Sequence, residues 1–542
     1  MKRLIAIFLT IMPLILEAQS SKSTFLNPQN TTINMTLEGY NPKVHSFSFL
    51  KLVYFHVYNG ISKVIIGEID SSGKSSVTFS LISPQEILLL VDNDFSTLYV
   101  KPGQTIAASI DLTAFKTGGN SLPIRFKDNR SDINQHFNIF FPKLLSLMPY
   151  QEQKKMIDSL DQMAYKSYRL AEMKKMLDSL NAFNRRQNTS KDFRNAMSMY
   201  IHYYAAEDLL RYAWLHRPGK YEILTRSYLD FLKDIAINNP KALVTGKYAI
   251  FLREYLEMIK KNLSYVPITA SEKRIYTFIK AETRNISNEE ELAFKTLKKD
   301  RSKQQELLVS ALLSKYESKY NNFRNNLNIL DSFNKQLPSG IGADIIKARF
   351  ITDYLNLFKQ PVSSIHIKVL SRYLVTPNLS NLVKLDNEQF KKNLIAGYSH
   401  NKNRNSLTPQ QGLLYRKLID SYVGKVVYID FWAPWCGPCI QGIPATEILA
   451  QKLKNEDVVF LYIGVESEKK LWEKKVKEKF NGGEHYYADK NESVLLEMIF
   501  EFSGIPHYAL IDKDGKISEN DAPAPYADDL ENKINTLLGK EN

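Results

Sequence analysis

Asp430-Phe431-Trp432-Ala433-Pro434-Trp435-Cys436-Gly437-Pro438-Cys439 contains both cysteines of this 542-residue chain. The run leading into it, Lys425–Trp432, is apolar and β-branched, as suits a buried central strand. The run leaving it, Cys439–Leu453, has helical patterning. Strand, short turn and helix therefore meet at the two thiols. Cysteines two residues apart at a helix start can bring their Cα atoms to the roughly 4.4–6.8 Å that a disulfide requires. Pro438 suits the first helical turn, where a missing N–H costs little. Cys436 then sits at the helix N-terminus, where backbone N–H groups and the macrodipole favour a thiolate. Cys436 reads as a nucleophile that forms a mixed disulfide with a substrate. Cys439, one turn further and more buried, reads as the thiol that resolves it. No cysteine remains for a structural staple or for a second zinc-binding pair, and the nine histidines show no ligand spacing near the motif. Neither a metal nor a cofactor is expected.

Downstream, strand and helix patterns alternate, the mark of an α/β sheet. Val458–Val465 reads as a second buried strand, Ser467–Phe480 as an amphipathic helix and His485–Ala488 as a short strand. Glu492–Phe502 follows as a helix, His507–Asp512 and Lys516–Ser518 as a hairpin about Lys513-Asp514-Gly515, and Ala527–Leu538 as a closing helix. The decapeptide closely resembles the active-site strand and turn of thioredoxin. The wider pattern resembles the exported, membrane-associated thioredoxins of the TlpA/ResA type. Gly424-Lys425, Gly504-Ile505-Pro506, the run Ile511–Ile517 and Ala522-Pro523-Ala524-Pro525 all fit. The resemblance covers the last quarter of the chain, taken as residues 405–542.

This resemblance implies a thioredoxin fold with Cys436 and Cys439 as its redox-active disulfide. It implies that Asp430 is a buried acid assisting proton removal from Cys439, with a pKa raised by burial. The competing role for Asp430 is a strand-end residue capping a turn. Pro506 is expected as a cis-proline opposite the cysteines, against the alternative of an ordinary strand-start proline. Ile505 is expected to pair its backbone with the substrate chain. Trp432 and Trp435 are expected to frame the site, with Trp435 exposed and touching substrate. His507 either tunes the sulfurs or is a plain strand residue. Three departures stand out: Val458–Val465 contains no lysine to accompany the acid, Gly442 occupies a position where this type often carries glutamate, and Gln411–Tyr422 reads as helix where a hairpin is usual. Pro444 lies within the active-site helix as a structural kink. The Gly-Pro dipeptide points to a reducing couple.

Upstream, residues 23–117 read as a small antiparallel β-sandwich. Its runs are Phe47–Tyr58, Lys63–Asp70, Ser75–Leu81, Glu86–Asp92, Thr97–Lys101 and Thr105–Leu112. Residues 128–401 change to three- and four-residue apolar steps and read as an all-α domain. Pro218-Gly219, Asn239-Pro240, Pro338-Ser339-Gly340 and Gln360-Pro361 punctuate it. The tyrosines in Tyr200–Tyr204 either line a groove or pack helices. His400–Gln411 reads as a linker. The expected architecture is multi-domain: N-terminal β-sandwich, central all-α domain, C-terminal α/β thioredoxin fold.

The formal charge of +14 is unevenly spread. Residues 405–542 hold 16 Lys+Arg against 22 Asp+Glu, so the rest of the chain carries +20. That excess suits either a solvated lysine-rich surface or peripheral attraction to anionic membranes. Nothing suggests nucleic-acid binding. Lys2 and Arg3 precede an apolar run, Leu4–Leu16, followed by small residues. Residues 1–18 therefore read as a secretory signal peptide cleaved after Ala18, with an uncleaved anchor as the alternative. The expected location is the periplasm or cell envelope. The expected function is reduction of disulfides in envelope proteins, with a membrane-bound electron donor as partner; apo-cytochromes and other oxidised envelope proteins are equally compatible clients. The alternatives are an envelope disulfide oxidase or isomerase, and a partner-binding protein with an accessory redox domain.

Overall fold

The computed structural model describes residues 26–540 apart from 46, 61, 93, 114–121, 128–131, 149, 218–219, 262–270, 283–285, 358–361, 399–406 and 528. The expected signal peptide, the turns at Pro218-Gly219 and Gln360-Pro361 and most of the linker after His400 lie outside the described residues.

Alternation of apolar and polar residues builds the first unit. β1 (Gln29–Glu38) buries Ile33, Met35 and Leu37 while Asn34 and Thr36 face outward. β2 (Phe49–Phe55), β3 (Ser62–Glu68), β4 (Lys74–Leu81), β5 (Gln85–Val91), β6 (Asp94–Val100) and β7 (Thr105–Asp111) match the six expected runs. β8 (Ile124–Phe126) follows, beyond residue 117. The strands form two four-stranded sheets, ordered β4-β1-β7-β8 and β3-β2-β5-β6. The sandwich is not purely antiparallel, because β1 pairs with β7 in parallel, Ile33 opposite Ile106.

Leu50, Leu52 and Tyr54 of β2 point into the sandwich core, so Lys51, Val53 and Phe55 point out of it. That outer face is half-buried, which explains the unbroken apolar run Ile87–Val91 on neighbouring β5.

Between Asp132 and Tyr398 the chain forms eleven α-helices among the described residues. Besides the sandwich's own core, a second apolar cluster joins it to the helices. Leu26, Val57, Tyr58 and Ile82 cluster with Tyr203, Leu209, Tyr248 and Phe251. Polar bonds cross the same boundary. Arg349, only 2% exposed, donates to the carbonyls of Ala249 (2.9 Å) and Val57 (3.2 Å). The Tyr58 hydroxyl donates to Asp386 at 2.8 Å. Replacing Arg349 with leucine removes both of its buried, charge-assisted bonds. Arg349→Leu is expected to lower unfolding free energy by about 2–4 kcal/mol, read from the denaturant midpoint.

The tyrosine cluster on helix Lys191–Leu215 is packing rather than groove. Tyr200 and Tyr203 are buried, and the ring of Tyr204 carries the Arg169 guanidinium and the Lys247 ammonium about 5 Å from its centroid.

The third unit has a five-stranded sheet ordered β11-β10-β9-β12-β13. Its strands are β9 (Val426–Trp432), β10 (Val458–Gly464), β11 (Glu484–Tyr487), β12 (His507–Ile511) and β13 (Ile517–Glu519). β9 to β11 are parallel, and β12 and β13 are antiparallel to their neighbours. The expected helix before β9 is present as Pro409–Ile419, opened by a Thr408/Gln411 capping box. Its Leu414, Leu418 and Ile419 pack on Leu496, Ile499 and Phe500 of helix Lys490–Phe500. No described helix is long and apolar enough to cross a membrane.

Candidate functional site

Every residue of β9 is buried, and the period of two divides them between the sheet's faces. Val427, Ile429 and Phe431 face the core beneath helix Pro409–Ile419. Val426, Tyr428 and Trp432 face the core that holds both cysteines, and Asp430 shares their parity. The acid thus lies on the sheet face covered by the active-site helix Gly437–Lys452.

Cys436 is the N-cap of that helix and Pro438 lies in its first turn. The Cys436–Cys439 disulfide is formed, with Cα atoms 5.3 Å apart. Cys439 donates its backbone N–H to the Cys436 sulfur at 3.2 Å. That N–H, one of the orphan donors of a helix start, is available to stabilise a thiolate once the disulfide opens. Cys439 is fully buried and Cys436 is 4% exposed, between exposed Trp435 and exposed Gly437 and Pro438. A substrate sulfur can therefore approach only Cys436.

Burial alone pushes the Asp430 carboxyl up to about 8. Neither of its oxygens has a hydrogen-bond partner among the described residues. An acid protonated at neutral pH, with no competing ligand, suits proton exchange with a neighbouring thiol. This geometry does not fit the turn-capping alternative.

The residues around Asp430 were not foreseen. Tyr462 of β10 and Tyr508 of β12 stand opposite it on the two flanking strands, and Tyr428 precedes it by two on its own strand. The missing lysine is thus replaced by a ring of tyrosines. The Tyr428–Asp430 spacing of two was a readable signal; the cross-strand pair required the register. Tyr508 also accounts for Gly442. A Cβ there would come within 3.3 Å of the Tyr508 hydroxyl and 3.6 Å of Pro525.

The Ile505–Pro506 peptide is cis, and Ile505 packs against the cluster containing both cysteines. The β9–β12 ladder begins at His507, so Ile505 lies just outside it. Trp435 is 59% exposed, and its indole N–H donates to the Glu466 carbonyl at 2.9 Å. Trp432 is buried against Phe480. His507 stacks on Phe502 and lies near Phe431, on the face away from the cysteines, so it is a strand residue and not a tuner of the sulfurs. Pro444 lies inside the active-site helix. No cluster of metal-ligating side chains occurs among the described residues.

The Redoxin family matches residues 416–538. The thiol-disulfide oxidoreductase ResA of Geobacillus kaustophilus is 28% identical over 24% of this chain and 72% of its own length. ResA of Geobacillus thermodenitrificans is 31% identical over 19% of this chain and 56% of its own. The thioredoxin domain of a thiol-disulfide oxidoreductase from Bacteroides vulgatus is 22% identical, covers 22% of this chain and 84% of that one, and aligns with a TM-score of 0.21. The part of the chain before residue 405 lies outside the Redoxin match. With a cysteine pair capping a helix over a buried acid, beside a cis-proline, and with ResA as a relative, the C-terminal unit of this chain is a thioredoxin-like domain of the TlpA/ResA type.

Proposed function

We propose that this chain is an exported thiol–disulfide oxidoreductase that reduces disulfides in proteins of the periplasm or cell envelope. The observation that carries the chemistry is Cys436 capping the helix, with the N–H of buried Cys439 directed at its sulfur. In the reduced protein the Cys436 thiolate attacks one sulfur of a substrate disulfide. A Cys436–substrate bond forms and the other substrate sulfur leaves as a thiolate. The ionised form of Asp430, a minor fraction at neutral pH that grows as pH rises through about 8, takes the proton of Cys439, whose thiolate then attacks Cys436. The protein disulfide closes and the second substrate thiolate departs. Two electrons have moved from protein to substrate. A membrane-bound dithiol donor, the class of partner this reading requires, returns them. Ile505 and Trp435 hold the substrate chain at the sulfur.

Export rests on the basic start at Lys2 and Arg3 and the apolar run to Leu16. The reducing direction rests on the Gly437-Pro438 dipeptide. Redox titration of the full-length protein against glutathione or dithiothreitol buffers tests the direction. The expected potential is about −270 mV, as for thioredoxin itself, the handy reference for a reducing couple. A value near that of strong disulfide-forming oxidants, about −120 mV, reverses the assignment to an oxidase.

A further inference from the structure

Lys51 belongs to the first domain, yet its ammonium lies between two carboxylates of the last one. It reaches out from the middle of β2 with Ile66 and Leu90 as strand neighbours. Its Nζ donates to Glu497 at 2.7 Å and to Glu466 at 3.0 Å. Glu497 lies on helix Lys490–Phe500 and is 6% exposed. Burial pushes its carboxyl up to about 7, against the opposing pull of Lys51. Around this bridge, Ser48 donates its N–H and hydroxyl to Asn491, both at 3.1 Å, and Lys490 pairs with Asp92.

Glu466 is the link to the site. It follows β10 with φ +49°, a left-handed conformation that an L side chain adopts at a cost of about 1 kcal/mol. Such a residue persists where its surroundings over-determine it. Three contacts do so here. Its N–H donates to the Ser493 hydroxyl at 3.3 Å, its carboxylate accepts from Lys51, and its carbonyl accepts from the indole of Trp435. One residue thus connects the sandwich to the exposed ring beside Cys436.

We propose that Lys51 is a positioning residue for Trp435: by fixing Glu466, the docked sandwich sets the indole face that substrate meets. Recognition of a disulfide-bearing chain is then a property of the first and last domains together. An exposed ion pair is worth little by itself, but this one also neutralises a buried carboxylate, so its loss is felt at the interface.

The inference rests on the proposed disulfide reduction, and its test separates the two. In the full-length protein, Lys51→Met is expected to raise KM for insulin disulfides, with dithiothreitol as electron source, by roughly 3- to 10-fold. The values of kcat and of the Cys436 alkylation rate stay unchanged, and Lys51→Arg restores KM. In a Trp435→Ala background, Lys51→Met adds nothing. Glu466→Gln, which keeps the carbonyl, reproduces the KM rise and serves where Lys51→Met folds poorly. A readout without catalysis accompanies these. Acrylamide quenching of the Trp435 fluorescence, taken as the difference from Trp435→Phe, increases in Lys51→Met. Unchanged quenching, or a KM effect that survives undiminished in Trp435→Ala, overturns the positioning role. Failure of the unaltered chain to reduce insulin overturns the reductase reading instead, while the quenching difference still decides the role of Lys51.

Discussion

Replacing Cys439 with serine should stop turnover and leave the chain joined to its substrate through Cys436. Cys436 is the sulfur a substrate can approach, at the N-cap of the active-site helix, while Cys439 is fully buried behind it. Without the second thiol, the first exchange still proceeds and the mixed disulfide has no internal resolving group. Steady-state reduction of insulin should fall by at least ~10³-fold, with a gel-stable adduct that dissolves on adding reductant. Cys436→Ser should lose the same activity without forming the adduct. The chain has no third cysteine, so neither result can be confused with reshuffling elsewhere. An adduct formed by Cys436→Ser but not by Cys439→Ser would exchange the two roles. The same trapping in cells of the source organism identifies the client.

Asp430→Asn should have two separable consequences. The folded protein holds the Asp430 proton up to about pH 8, whereas an ordinary aspartate releases it near 3.8. Between those values the folded state binds more protons than the unfolded one, so this residue makes stability fall as pH rises. The asparagine variant lacks that penalty. It should be more stable than its parent at pH 8 by several kcal/mol, with the gain shrinking to nothing below about pH 4. Denaturant midpoints measured across that range check the sign. Catalysis should move the other way. Resolution of the mixed disulfide should slow by on the order of 10²-fold, the usual worth of a placed proton acceptor, and lose its rise through pH 8. An unchanged pH profile for substrate-thiol release in the variant would remove Asp430 from the mechanism.

What could be read from the chain was what depends on neighbours in sequence. β9, the turn and the helix cap lie within one continuous stretch, and Cys436, Cys439 and the Ile505-Pro506 dipeptide carry their chemistry with them. β1 was missed although Ile33, Met35 and Leu37 alternate cleanly, because the intervening Asn and Thr dilute the apolar signal. Its parallel pairing with β7 depends on tertiary register, which no local pattern encodes. The tyrosines about Asp430 illustrate the same divide. Tyr428 shares its strand, whereas Tyr462 and Tyr508 arrive from strands 32 and 78 positions later and meet the acid only through pairing. The Lys51–Glu497 bridge spans 446 positions and joins two domains whose patterns are unrelated. His507 follows the cis-proline directly, but strand alternation turns it to the opposite face of the sheet.

The apolar cluster that joins the sandwich to the helices limits how this molecule can be divided. Val57 and Tyr58 are as much a part of the helical interior as Tyr248 is. A cut between those two units bares greasy surface on both fragments, so the first four hundred residues should express, be cleaved and be transplanted as one piece. The apolar clusters of the last unit hold no described residue before Leu407, so a cut just ahead of Leu407 divides no apolar core, although it undocks Lys51 from Glu466 and Glu497. A chimera joined there would carry the oxidation–reduction chemistry onto a new carrier and leave behind the lysine that orients its recognition ring.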